Sequence, residues 1–141
     1  MRHNLQRYLA EVAQRLERFP AGVRICWVEP AQLAAQIPGS RFNFWAMCVR
    51  PKPLSPFYVL GISTELLRAP AYVLRWLILH ECLHVVIKPY VGRWHPYHFR
   101  QAERSHPDYE RANLWLDAHV NTVTKTGRAS RRARTSGSAA R

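Results

Sequence analysis

Leu5, Leu9, Val12 and Leu16 recur at intervals of three and four among polar neighbours. That spacing predicts one apolar face of a helix over residues 4–18, ended by Pro20 and Gly22. The pattern then changes period. Val23–Val28 (VRICWV) is rich in β-branched and aromatic residues and predicts a strand, closed by Glu29-Pro30. Gln32–Gln36 reads as one short helical turn before Pro38-Gly39. In Arg41–Val49, Phe42, Phe44, Ala46 and Cys48 alternate with Asn43 and Met47, which predicts a second strand. The prolines of Pro51–Pro56 break structure and make a loop. Phe57–Ile62 predicts a third strand.

Ser63 or Thr64 is placed to cap a short turn through Leu67. Pro70 suits the first turn of a longer helix, because the N–H it lacks would go unpaired there anyway. That helix runs to about Ile87, and Pro89 bars its continuation. Trp94–Pro96 reads as a loop and His98–Arg104 as helical. Ser105 with Asp108 resembles a capping box for a last helix through about Val120. A helix, three strands and then helices make an α+β domain with a small sheet. No internal repeat of useful length is visible.

The chain has 141 residues, the size of one ordinary domain. Residues 1–122 read as that domain. Composition changes after it: residues 123–141, which from Lys125 onward lack large apolar side chains, read as a disordered basic tail. The formal charge is +12, from 21 Lys and Arg against 9 Asp and Glu. Lys125, Arg128, Arg131, Arg132, Arg134 and Arg141 supply half of it, with no acidic residue after Asp117. A tail of that kind, Lys125–Arg141, fits contact with a phosphate backbone; a solubilising or assembly role fits the same charge. Cys26, Cys48 and Cys82 are an odd number without CxxC spacing, which argues against a disulfide framework. Residues 1–19 interleave charge with apolar positions, unlike a signal peptide. The apolar runs are too short for a membrane span. The expected location is therefore cytoplasmic, with no membrane partner.

The candidate chemistry lies late in the long apolar helix, at His80-Glu81-Cys82-Leu83-His84. Histidines four apart project from one helix face, one turn from each other. Two imidazoles can then reach one zinc ion at about 2.0–2.1 Å. Glu81 lies beside the first ligand, where its carboxylate can take a proton from an attacking water. Ionisable side chains on a buried helix are costly unless paired or bound to metal, which favours the metal reading over a chance motif. A catalytic zinc needs a third protein ligand and an open position. The candidates are His95, His98, Glu103, His106, Asp108 and Glu110. Cys82, two residues from each histidine, faces away from the metal. His106 reads as part of a helix cap, and His119 as exposed near the end of the last helix. Tyr97 or Tyr109 is a candidate for oxyanion stabilisation. The five tryptophans read as core or pocket wall.

The order Ile62-Ser63, Leu66, Pro70, Leu77-Ile78-Leu79-His80-Glu81-Cys82-Leu83-His84 resembles the SprT-like and YgjP-like (WLM-related) metallohydrolases. His95 with Phe99 resembles their His-x-x-x-Phe third-ligand motif. Pro107-Asp108-Tyr109 with Leu114-Trp115-Leu116 resembles the end of the YgjP-like group. The likeness covers roughly residues 57–117. It implies a zincin-like fold, a zinc cofactor held by His80, His84 and His95, and Glu81 as general base.

Three functions follow as expectations. The leading one is a zinc metallopeptidase acting on a peptide or protein substrate. The second is a nucleotide phosphohydrolase of the YgjP-like kind, for which Arg75, Arg93 and Arg100 would supply a basic pocket. The third is a non-catalytic protein of a nucleoprotein assembly that keeps the zinc for stability. The third strand also admits two readings. Either it is a free edge that holds a peptide by β-augmentation, guarded by Pro51, Pro53 and Pro56, or it is a central core strand.

Overall fold

The computed structural model describes residues 2–16, 22–36, 45–87 and 95–124. Among these are five α-helices and one three-stranded sheet. Helix α1 spans Leu5–Arg15, and Asn4 caps it by accepting the Arg7 N–H at 3.0 Å. Leu5, Tyr8 and Val12 are its buried face. Strand β1 is Val23–Val28, as the sequence predicts. Gly22 precedes it with φ of 87°, a conformation that glycine adopts without a Cβ clash. Helix α2, Pro30–Ala35, starts earlier than expected, since Pro30 needs no N–H partner at a helix start.

Strand β2 is Ala46–Val49. Arg41–Phe44 of the expected second strand lie outside the described residues. Strand β3 is Tyr58–Ser63, followed by a 3-10 turn, Thr64–Leu66, that the Ser63 hydroxyl caps. The strand order is β1-β3-β2, with β1 parallel and β2 antiparallel to β3. The free-edge reading of the third strand is thereby overturned, because β3 is central. Its burial explains this: Leu60 and Ile62 are fully covered on one side. On the other side, a Cβ at Gly61 would lie 2.9 Å from Val28 Cγ2.

Helix α3, Ala71–Val86, is the spine of the domain. Val73, Leu74, Leu77, Ile78 and Leu83 are buried with Leu60, Ile62 and Ile25 in a single core. Helix α4 is Tyr97–Arg104 and α5 is Tyr109–Thr124. The expected capping box at Ser105 and Asp108 does not form. Ser105 instead ends α4, and its hydroxyl donates to the Ala102 carbonyl at 2.7 Å. His106 accepts the Asp108 N–H at 3.0 Å, and Asp108 starts α5. No helix among the described residues is long and apolar enough to cross a membrane. The basic segment Lys125–Arg141 lies outside the described residues, as do Pro89, Gly92, Arg93 and Trp94.

Candidate metal centre

The site is assembled from α3 and the start of α4. His80 and His84 stand one turn apart on α3, with ring centroids 4.9 Å apart. His95 reaches them from the residues just before α4, at 5.2 Å from the His80 ring and 4.9 Å from the His84 ring. One ligand-capable nitrogen from each lies within 4.8 Å of the other two. Among the described residues this is the one group of three or more such side chains close enough to share an ion.

A buried aromatic ring sets that convergence. Phe99, wholly buried, lies one turn beyond His95 on α4. Its centroid is 5.1 Å from His80, 4.6 Å from His84 and 4.9 Å from His95. All three imidazoles pack on one ring, which links α4 to α3 and fixes where the nitrogens meet.

Glu103 does a different job from the one sequence allows for it. It is not a member of the converging group. Its Oε2 pairs with His80 Nδ1 at 2.9 Å, and both side chains are largely buried. A carboxylate on one ring nitrogen fixes the tautomer and leaves Nε2 for a metal. Burial alone would lower the His80 pKa; the bond to Glu103 and the charges of Glu81 and Glu103 outweigh it and raise it. His84 is pushed the other way, to about 3, by burial and then by His80 and His95. His95 is lowered by burial first and then by His80 and Arg100, against the raising effect of Glu103. Neutral imidazoles with available lone pairs are what a metal requires.

The donor set fits a metal ion on a second ground. His95 Nε2 is buried and has no protein hydrogen-bond partner. An orphaned buried polar atom costs about 1–3 kcal/mol. A bound cation removes that cost. Trp76, one turn before His80, has its ring 5.4 Å from the His80 ring, and its buried Nε1 also lacks a protein partner.

Glu81 is 9 % exposed. Its Oε1 is 4.0 Å from His80 Nε2, the ring nitrogen that Glu103 leaves free of its own contact. Its Oε2 accepts the backbone N–H of Cys48, on β2, at 3.2 Å. Burial pushes its carboxyl up to about 7, against the lowering effects of His80 and the Cys48 amide. No sequence signal marks the Cys48 contact, since a backbone N–H is present at every residue but proline.

The other candidates fall elsewhere. His98 is exposed, its ring beside Tyr97. Glu110 is exposed on α5. His106 and Asp108 are bonded to each other at the α4–α5 corner, and Arg111 pairs with Asp108. Tyr97 is 70 % exposed and accepts from Gln101 within α4, while Tyr109 packs edge-on to Trp76. Arg75 does not line a basic pocket with the motif; it pairs with Glu11 at 2.9 Å and lies over the Tyr8 ring. Arg100 is near enough to His95 to help lower its pKa. His119, expected to be exposed, is half-buried and stacked on Trp115 at 5.2 Å. Cys82 is buried, and burial raises its thiol pKa. All three cysteines are free thiols. Compared with protein-family models, with curated proteins and with solved structures, the chain matches none.

Proposed function

We propose that this chain is a zinc-dependent metallopeptidase with a zincin-like fold, of the SprT-like kind. The observation that carries the reading is the convergence of His80, His84 and His95 within 4.8 Å, with Glu81 beside them. Three imidazoles suit zinc among the common divalent ions, and three protein ligands leave a position open, as catalytic sites require. Zinc bound there would lower the pKa of a coordinated water toward about 7 and polarise a substrate carbonyl. Glu81 takes the proton from the attacking water and returns it to the leaving amine nitrogen. Glu103 holds His80 in one tautomer throughout. Free thiols fit a reducing, cytoplasmic setting.

A peptide substrate is favoured over a nucleotide by the edge of the sheet. The Ser63 N–H donates to the Trp45 carbonyl at 2.8 Å, so those two are a hydrogen-bonded pair. The pattern alternates along an antiparallel ladder. Met47 and Val49 therefore face β3 with their backbone groups, opposite Gly61 and Val59. Ala46 and Cys48 turn theirs away, toward the outer edge of β2. That edge carries the N–H that touches Glu81. Among the described residues no other strand pairs with that edge; an extended peptide pairs with such an edge by its backbone, and here it would pass beside Glu81.

The test is zinc analysis with paired hydrolysis assays on an unfolded protein and on nucleoside triphosphates. Wild type binds one zinc and cleaves the protein. Glu81→Gln keeps the zinc and loses at least about 100-fold in rate. Full activity in Glu81→Gln removes Glu81 from the mechanism. Phosphate release without peptide cleavage replaces this reading with a phosphohydrolase.

A further inference from the structure

An edge strand that offers its backbone to substrate would use every outward N–H and C=O. On β2 one of these is already taken. The outward N–H of Cys48 donates to Glu81 Oε2 at 3.2 Å. Two acceptors thus compete for one donor: the Glu81 carboxylate and a carbonyl of a peptide on the edge. Glu81 keeps it, because Glu81 is largely buried and loss of its amide partner would leave a desolvated side-chain oxygen unpaired.

We infer that the Cys48 N–H positions Glu81 and, by being withheld from substrate, sets the register of cleavage. A peptide on β2 pairs with the N–H and C=O of Ala46 and with the C=O of Cys48. The peptide carbonyl that would face the Cys48 N–H finds no ladder partner. Of the peptide carbonyls that face β2 in that stretch, it is the one left unpaired, and it lies beside the base. That carbonyl is the scissile one. Cys48 acts through its main chain, as a positioning residue. Its thiol takes no part, and burial pushes that thiol up to about 12. The inference rests on the peptidase reading above, since only an extended chain has a register.

The test separates the amide from the side chain. Cys48→Pro removes the N–H. Proline is tolerated at an edge position whose N–H faces outward. Cys48→Ala keeps the N–H and is the reference. Against it, Cys48→Pro lowers kcat about 10- to 100-fold through a misplaced base, while KM for a long peptide stays within about threefold, since uniform binding is untouched. A raised KM with kcat retained would mean that the amide pairs with substrate, and would overturn the proposal. A second measurement needs neither activity nor a folded proline variant. Amide hydrogen exchange at Cys48 in the metal-free full chain should speed up at least about tenfold in Glu81→Ala, because the amide loses its acceptor. An unchanged rate would also overturn the proposal. If exchange behaves as expected but no peptide is cleaved, the peptidase reading and the register fall together. The Cys48 contact with Glu81 then stands alone.

Discussion

Glu103→Ala is the substitution with the most to say about the metal centre. In the folded protein the Glu103 carboxylate bonds His80 Nδ1 at 2.9 Å, both groups largely buried. Removing it frees the His80 ring to turn and leaves a buried ring nitrogen without a partner. Outer-sphere changes of this kind cost about 10- to 100-fold in metal affinity, which is about 1.4–2.7 kcal/mol at 1.36 kcal/mol per decade. The loss depends on pH in a direction that the structure sets. With Glu103 present the His80 pKa is raised, so below that pKa zinc must displace a proton from His80. That competition weakens wild-type binding by roughly tenfold per pH unit. Without Glu103 only burial and Glu81 act on His80, and its pKa falls. The variant meets less proton competition than wild type. The affinity deficit of Glu103→Ala is therefore larger at about pH 8 than at about pH 6. A competition titration against a chromogenic zinc chelator at both pH values measures it. Binding within about threefold of wild type at pH 8, or a deficit that does not narrow at pH 6, would refute the argument. Glu103→Gln keeps an acceptor without the charge and should fall between the two.

Three further outcomes test other parts of the fold. Phe99→Ala removes the wholly buried ring on which the three histidines pack, and should cost the metal-free protein about 3–5 kcal/mol in urea unfolding; a change below about 1 kcal/mol would contradict that packing. Gly61→Ala, in the central strand, places a methyl 2.9 Å from Val28 Cγ2 of β1 and should cost about 1–3 kcal/mol; an unchanged stability would mean that the Val28 side chain turns aside freely. Glu11 sits between Arg75 and Arg7; burial alone would raise its carboxyl, but the two guanidinium groups outweigh this and hold it below the ordinary value. A lowered folded pKa stabilises above the unfolded value of 4.5 and is lost as pH falls through the folded one. Glu11→Gln should thus cost under about 1 kcal/mol at neutral pH, a difference that disappears in acid; a gap that widens on acidification would reverse the sign.

Much of the site was legible because helix geometry is local. The four-residue spacing of His80 and His84 fixes their common face on any α-helix. The run Val73–Leu83 could hardly form anything else between Pro70 and Pro89. Phe99 and His95 were visible as a pair, though not as a ring with three imidazoles on it. Boundaries moved where two residues competed for one capping task, as at Ser105, whose hydroxyl bonded back to Ala102 instead of opening α5.

What needed the tertiary structure was every choice between chemically equal candidates. His95 and His98 are three apart on one short segment, and composition cannot rank them; only the seat of α4 on α3 brings the first against His80 and His84 and leaves the second exposed. Glu103 was a candidate ligand by type and is, by distance, the partner of His80. Arg75 was close to the motif along the chain and lies instead against Glu11 and Tyr8 of α1. The centrality of β3 depends on the parallel crossover from β1, a pairing between residues more than thirty apart (Val23 with Tyr58). Long-range pairing carries no short-range signature. By itself the sequence determined the helix that carries His80, Glu81 and His84 and the order of the elements, because these follow from spacing and apolar period. Only the tertiary structure decided which third histidine joins His80 and His84, which carboxylate pairs with His80 and which backbone N–H meets Glu81, because those depend on which surfaces meet when the core closes.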